Sequence, residues 1–209
     1  MNPLTEEYIS NHLGAESDVL NGLYRYTNLN EPYAAMISGH EQGRLLSMIS
    51  RMTNPLRILE IGTFTGYSAI CLAEGLCAGG HLHTIELDDE LAETALSFFD
   101  KAGLTDTITL HVGDALHIIP QLDMVFDLVF IDAAKKQYLE YYHAVFDKVR
   151  PGGYILADNI LWYGKAADPL VQDETTVLLR TFNDFVRDDT RVERAIIQNR
   201  DGLYVLRKK

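Results

Sequence analysis

The sequence predicts an α/β fold, with a mostly parallel sheet, helices on both of its faces and an antiparallel hairpin near the end of the chain. Three observations carry this. From residue 57 onward, short apolar runs of strand length alternate with stretches of helical period, and parallel strands need such helical crossovers. No internal repeat or linker-like stretch interrupts the pattern, so 1–209 is expected to form a single domain. The last two apolar runs, 192–197 and 203–206, are joined through Asn199-Arg200-Asp201-Gly202, a turn composition that favours a hairpin.

Residues 1–54 are expected to form a helical cover over a core spanning 55–209. Within the cover, 41–52 sets Leu45, Leu46, Met48, Ile49 and Met52 on one face, expected to be buried, and Asn54-Pro55 stops the helix. The run 57–61 is the first strand, ending at a glycine and followed by a helix over 67–76. Next come a strand over 81–86, a helix over 90–101 and a strand over 108–112. A strand over 126–131 and a helix over 138–149 follow, then Arg150-Pro151-Gly152 as a turn before the fifth strand, 153–157. A helix over 175–186 precedes the hairpin.

With 47% hydrophobic and 23% charged residues, the chain can bury a full core and is not a disordered type. Eighteen Lys and Arg against thirty Asp and Glu give a net charge of −12, which repels nucleic acid and anionic lipid but not a divalent cation. No run of about 18 apolar residues is present to span a membrane. Met1-Asn2-Pro3-Leu4-Thr5-Glu6-Glu7-Tyr8 has no basic stretch leading into an apolar one, so no signal peptide is expected. Cys71 and Cys77 lie in one expected helix and, at about 100° per residue, face different directions. They read as reduced core thiols of a cytoplasmic protein rather than a disulfide. The seven histidines show no metal-ligand spacing.

In folds of this kind, ligands bind beyond the carboxyl ends of the strands. After the first strand comes Glu60-Ile61-Gly62-Thr63-Phe64-Thr65-Gly66-Tyr67-Ser68, whose glycines let backbone pass close to a ligand. The spacing is G-x-x-x-G rather than the G-x-G-x-x-G of dinucleotide binders, which favours a nucleoside over NAD. Glu86 ends the second strand, where a carboxylate can accept both ribose hydroxyls. Gly113-Asp114-Ala115 follows the third strand, with Asp114 placed either to line an adenine pocket or to cap a helix. Asp132 ends the fourth strand and Asp158-Asn159 the fifth. Neighbouring strands lie about 5 Å apart, so two carboxylates and an amide can converge as hard ligands for Mg²⁺ or Ca²⁺. Lys135 reaches the same point, either as a solvent-exposed lysine or to orient a substrate hydroxyl and, once deprotonated, take its proton. Trp162 and Tyr163 could wall an aromatic pocket, and Tyr138, Tyr141 and Tyr142 read as packing or interface residues.

Together these motifs resemble the class I S-adenosylmethionine-dependent methyltransferases, with a Rossmann-like fold, and within them the cation-dependent O-methyltransferases of the caffeoyl-CoA and catechol type. The similarity runs from about Met36 to Arg207 and is most specific in Leu59–Ser68, in Phe130-Ile131-Asp132-Ala133-Ala134-Lys135, and in Asp158-Asn159-Ile160-Leu161-Trp162. The resemblance implies that Asp132, Asp158 and Asn159 hold a divalent cation, Mg²⁺ or else Mn²⁺ or Ca²⁺, and that Lys135 and Asp132 are catalytic. It implies that Glu60, Gly62, Tyr67 and Ser68 border the methionine part of the cofactor, and that Glu86 takes the ribose. Gly113, Asp114 and Ala115 would border the adenine, with Asp132 also at the cofactor, and Met36 and Ser38 would cover it from the N-terminal side. The implied activity is methylation of one hydroxyl of a vicinal dihydroxyphenyl compound by a homodimer. An NAD-dependent oxidoreductase would need a different glycine pattern. A non-catalytic nucleoside-binding protein would be expected to lack the cation ligands or Lys135.

Overall fold

A computed structural model of the chain describes residues 3–209. Met1 and Asn2, the start of the segment expected to hold no signal peptide, lie outside the described residues. Three helices come first: α1 (Pro3–His12), α2 (Asp18–Asn30) and α3 (Gly39–Thr53). The alternating part follows as β1 (Arg57–Ile61), α4 (Tyr67–Ala73), β2 (His81–Glu86), α5 (Asp89–Lys101), β3 (Ile108–Val112) and α6 (Ala115–Ile118). It continues through β4 (Phe126–Ile131), α7 (Tyr138–Phe146), β5 (Val149–Ala157) and α8 (Glu174–Asp188) to the hairpin of β6 (Val192–Ile197) and β7 (Leu203–Lys208).

Among the described residues, seven strands form one sheet in the order β3-β2-β1-β4-β5-β7-β6. The first five are parallel, and β7 runs antiparallel to both β5 and β6. This is the expected α/β sheet with a C-terminal antiparallel hairpin. Burial on both faces explains the near-continuous apolar runs. Leu59, Ile61, Val129 and Ile131 pack toward Tyr142, Leu179 and Phe182 of α7 and α8. Ile58, Leu82, Leu128 and Phe130 pack toward Leu20, Leu46, Ile70 and Phe99 of the helices on the other side. The strand order reverses between β1 and β4, the crevice where ligands of such sheets bind.

Two boundaries differ instructively. The β4–β5 register slips from Phe126↔Val149 to Leu128↔Tyr154, so the expected 150–152 turn is a bulge within a longer β5, with Gly152 at φ 78°. The buried face of α3 is also not the apolar one. Gln42, Gly43, Leu46, Ser47 and Ser50 face inward, Leu45 and Ile49 are half-buried, and Met48 and Met52 are 57% and 79% exposed. The reason is the closeness of α4. A Cβ on Gly43 would come within 2.6 Å of the Tyr67 ring. Arg44 and Ser47 both donate to Glu74, and the Ser50 hydroxyl donates to the Leu72 carbonyl at 2.6 Å. Small and polar contacts therefore set the rotation of α3, against the apolar pattern. Cys71 is buried and Cys77 half-buried, both as free thiols; burial pushes the Cys71 thiol up to about 12.

Candidate active site

The loops after β1 and β4 are drawn together at the switch point. A Cβ on Gly62, which sits at φ 96°, would lie 2.2 Å from the Asp132 carbonyl oxygen, so only glycine permits this approach. Asp132 N–H donates to Ile61 O at 2.9 Å, and Asp158 N–H to Ile131 O at 3.0 Å. The sheet ladder thus continues past the strand ends and sets Asp132 and Asp158 side by side.

Above these ends lies a cavity of about 1280 Å³, more than the roughly 300–1,000 Å³ typical of one small ligand. One wall holds Met36, Ser38, Gly62, Tyr67, Ser68 and Glu86, continued by Gly113, Asp114 and Ala115. The other holds Asp132, Lys135, Asp158, Asn159, Trp162 and Tyr163. Glu60 is not on either wall. It is fully buried under the first one, with the Thr84 hydroxyl donating to Oε2 at 2.5 Å. Its Oε1 has no hydrogen-bond partner among the described residues. Burial, offset only in part by neighbouring hydroxyls, pushes the Glu60 carboxyl up to about 8, so it is protonated at neutral pH.

Glu86 is anchored by backbone. Phe64 N–H donates to Oε2 at 2.7 Å, and Leu87 and Asp88 N–H donate to Oε1 at 2.9 and 3.1 Å. A carboxylate has about four acceptor positions, so capacity remains on Oε2. Asp114 does two things at once: its Oδ1 accepts from Leu116 N–H at 2.8 Å as the cap of α6, and it lines the cavity.

On the second wall, Lys135 Nζ donates to Asp132 Oδ1 at 2.7 Å and to the Tyr138 hydroxyl at 2.9 Å. That hydroxyl donates to the Asp158 carbonyl at 2.9 Å. Lys135 is therefore a half-buried, paired lysine rather than a solvent-exposed one. Burial alone would lower it, but Asp132 and Tyr138 more than compensate and hold it above the ordinary lysine range as an ammonium. Asp158 is buried, and that burial, together with repulsion from Asp132, raises its carboxyl above the usual aspartate range. Gln42 Nε2, donating to Asp158 Oδ2 at 2.7 Å, acts the other way.

The donor set fits a hard divalent cation. Asp132, Asp158 and Asn159 line one cavity, two carboxylates and an amide whose chemistry suits such an ion, and the repulsion of Asp132 on Asp158 is what a bound cation relieves. Among the described residues, no group of three or more His, Cys, Asp or Glu side chains could hold a metal ion, so a cation held by Asp132 and Asp158 would need the Asn159 amide as well. The histidines are used elsewhere: His83 Nδ1 lies 3.0 Å from His111 Nε2 and His81 Nε2 lies 2.8 Å from the Thr109 hydroxyl, and burial pushes His83 down to about 4. Tyr138, read from the sequence as packing, proves to hold Lys135. Gln42 and Arg200 carried no local signal, because their partners are more than a hundred residues away.

Comparison with known proteins identifies the family. The family profile described as O-methyltransferase matches residues 8–209. A catechol O-methyltransferase of Niastella koreensis is 36% identical over 92% of this chain and 89% of its own. A caffeoyl-CoA O-methyltransferase of Populus kitakamiensis is 36% identical over 80% of this chain and 76% of its own. Among solved structures, the O-methyltransferase TomG of Streptomyces achromogenes, in complex with SAM, superposes with a TM-score of 0.90 at 33% identity, covering 98% of this chain and 96% of that one. An O-methyltransferase from Bacillus cereus, in complex with SAH, gives 0.92 at 29% identity, covering 99% and 97%. The chain belongs to the O-methyltransferase family, as a class I, S-adenosylmethionine-dependent enzyme.

Proposed function

We propose that the enzyme methylates one hydroxyl of a vicinal dihydroxyphenyl compound in a reaction that requires a divalent cation. One observation carries this reading: a single cavity holds the glycine-loop wall and, facing it, Asp132, Asp158, Asn159 and Lys135. Asp132, Asp158 and Asn159 would hold the cation, with Mg²⁺ the first candidate and Mn²⁺ or Ca²⁺ the others. Once bound, it would supply Lewis acidity to the acceptor oxygens and draw the Asp132 charge away from Lys135.

The rest falls to the chain itself. Met36, Ser38, Gly62, Tyr67 and Ser68 enclose the methyl donor, Glu86 takes its ribose hydroxyls, and Gly113, Asp114 and Ala115 meet its base. Glu60 acts from beneath the wall rather than on the ligand. The Lys135 ammonium, fixed by Asp132 and Tyr138, orients the acceptor oxygen and steadies its charge once the hydroxyl proton has passed to solvent water. That oxygen gains the methyl group as the sulfonium C–S bond breaks, so opposite charges cancel. Orientation and exclusion of water are then the main protein contributions.

A free diol suits the cavity better than a coenzyme A thioester. The cations on its wall are Lys135, Lys136 and Arg200, and each is committed: to Asp132, to Glu174 and to backbone carbonyls, respectively. Glu86, Asp114, Asp132, Asp158 and Asp201 line the same space, a poor setting for a polyphosphate. Among the described residues no helix is long and apolar enough to cross a membrane. Exposed Met48, Met52 and Leu56 offer an apolar surface for a homodimer.

The test is methyl transfer from labelled S-adenosylmethionine to a panel of free catechols and caffeoyl-CoA, with Mg²⁺ and with excess chelator. Transfer to a free catechol that disappears with chelator is the expected result. Equal transfer under both conditions would remove the cation from the reading, and transfer to the thioester alone would reverse the choice of acceptor.

A further inference from the structure

The turn between β6 and β7 is tied to the strand end that carries Asp158 and Asn159. The Gly202 and Asp201 carbonyls accept from Ile160 and Leu161 N–H at 3.1 and 2.9 Å, and Gly202 N–H closes the turn on Asn199 O at 2.8 Å. Within this turn, Arg200 sits at φ 47°, a left-handed conformation that a non-glycine residue holds only where its surroundings impose it.

Its guanidinium reaches back to the start of α3. Nη1 donates to the Ile37 carbonyl at 3.0 Å, the Ser38 carbonyl at 2.5 Å and Gln42 Oε1 at 3.0 Å, and Nη2 to the Ala35 carbonyl at 3.4 Å. Residues 35–38 form the N-terminal part of the cavity wall, where the cofactor side is closed. Among the described residues, Arg200 is the side chain that hydrogen-bonds these carbonyls.

Gln42 carries the connection further. Its side chain is buried, its Oε1 is taken by Arg200, and its Nε2 therefore faces Asp158 Oδ2 at 2.7 Å. An amide has one acceptor end and one donor end, so filling the first with a guanidinium fixes the second on the carboxylate. One planar, five-donor group thus joins the hairpin, the N-terminal cover and a residue of the catalytic wall. A lysine, as a single point charge, has no matching fork.

We propose that Arg200 is a positioning residue that clasps residues 35–38 over the methyl-donor half of the cavity and, through Gln42, sets the orientation of Asp158. The assignment of that half to the donor rests on the O-methyltransferase reading above; the clasp rests on the hydrogen bonds alone. The experiment compares wild type, Arg200→Ala and Arg200→Lys by amide hydrogen exchange without ligand and by SAH titration, alongside steady-state kinetics.

In Arg200→Ala, amides of 34–38 exchange faster while those of β1 and β4 keep their protection. The SAH dissociation constant rises about tenfold, the loss expected for charge-assisted hydrogen bonds to a wall residue. KM for the methyl donor rises more than kcat falls, and Arg200→Lys lies between. Unchanged exchange at 34–38 in Arg200→Ala overturns the clasp. Faster exchange spread over the whole sheet with unchanged SAH affinity also overturns it, because Arg200 would then serve general stability. If SAH binds neither wild type nor variant, the donor assignment fails, while the exchange comparison still decides the clasp.

Discussion

The two walls of the cavity are built by different means. The donor wall is mostly local: Gly62, Glu86 and the Thr63–Thr84–Glu60 hydrogen bonds lie on two adjacent strands and their loops. Its ligand-facing carboxylate is held by backbone N–H groups of the loops around it. The catalytic wall gathers Asp132, Lys135, Tyr138 and Asp158 with Gln42 and Arg200, contributed from both ends of the chain. Charge explains the difference. Glu86 gets its donors from backbone N–H groups of its own turn and of the neighbouring glycine loop, whereas paired carboxylates at neighbouring strand ends need compensation from wherever a buried donor can be supplied.

The largest effect is expected where that compensation converges. Asp158→Ala removes a proposed cation ligand and leaves Gln42 Nε2 without its acceptor, while the Arg200 hydrogen bonds to the carbonyls of residues 35–38 on the donor wall remain. Cation-dependent turnover falls by about a thousandfold or more, as for loss of a group on which the reacting oxygen depends. SAH affinity stays close to wild type. Parallel turnover assays and SAH titrations read the two walls separately, and turnover persisting at the wild-type rate would sink the assignment of Asp158.

Glu86→Ala inverts the pattern. Losing the charge-assisted hydrogen bond that Glu86 Oε2 can still accept from a ribose costs about 2.5 kcal/mol, or roughly seventyfold in SAH dissociation constant. With saturating donor, kcat falls far less. Equal losses in kcat and in SAH affinity would mean that the walls are one cooperative unit rather than two.

The same contrast governs what could be read from the sequence. The alternation of strands and helices, the glycine turn, and the polar residues at strand ends follow from local period and turn chemistry; the structure has the sheet and the glycine turn as expected, while Glu60 lies buried beneath the cavity instead of bordering it. The rotation of α3 was not legible, because apolar spacing pointed to Met48 and Met52 while Gly43 against Tyr67 and the Arg44–Glu74 pair decided the packing. Tyr138 looked like a core aromatic, and most of its side chain is one; only its hydroxyl, set against Lys135 and the Asp158 carbonyl, belongs to the site. Arg200 sits in a sequence that signals a turn, and nothing local marks a guanidinium that will meet residues 35–42.

The smallest expected effect concerns Glu60, and it tests whether the donor wall is as neutral beneath its surface as its geometry requires. An unfolded glutamate titrates near 4.5, whereas burial raises this one to about 8. Below the lower value both states are protonated and the contribution of Glu60 to stability is fully present. As pH rises, the unfolded chain ionises while the folded one does not, and the contribution is lost by the time pH passes the folded value. Glu60→Gln keeps the shape and the acceptor for Thr84 but cannot ionise. Between about pH 5 and pH 8, wild type should therefore lose roughly 2 kcal/mol relative to this variant, allowing for relaxation around the buried group. Urea unfolding of both proteins across that range measures the difference directly. Parallel curves would mean that Glu60 is ionised in the folded state and finds a partner for Oε1. The donor wall would then depend on buried charge compensation as the catalytic wall does, and the contrast between them would narrow.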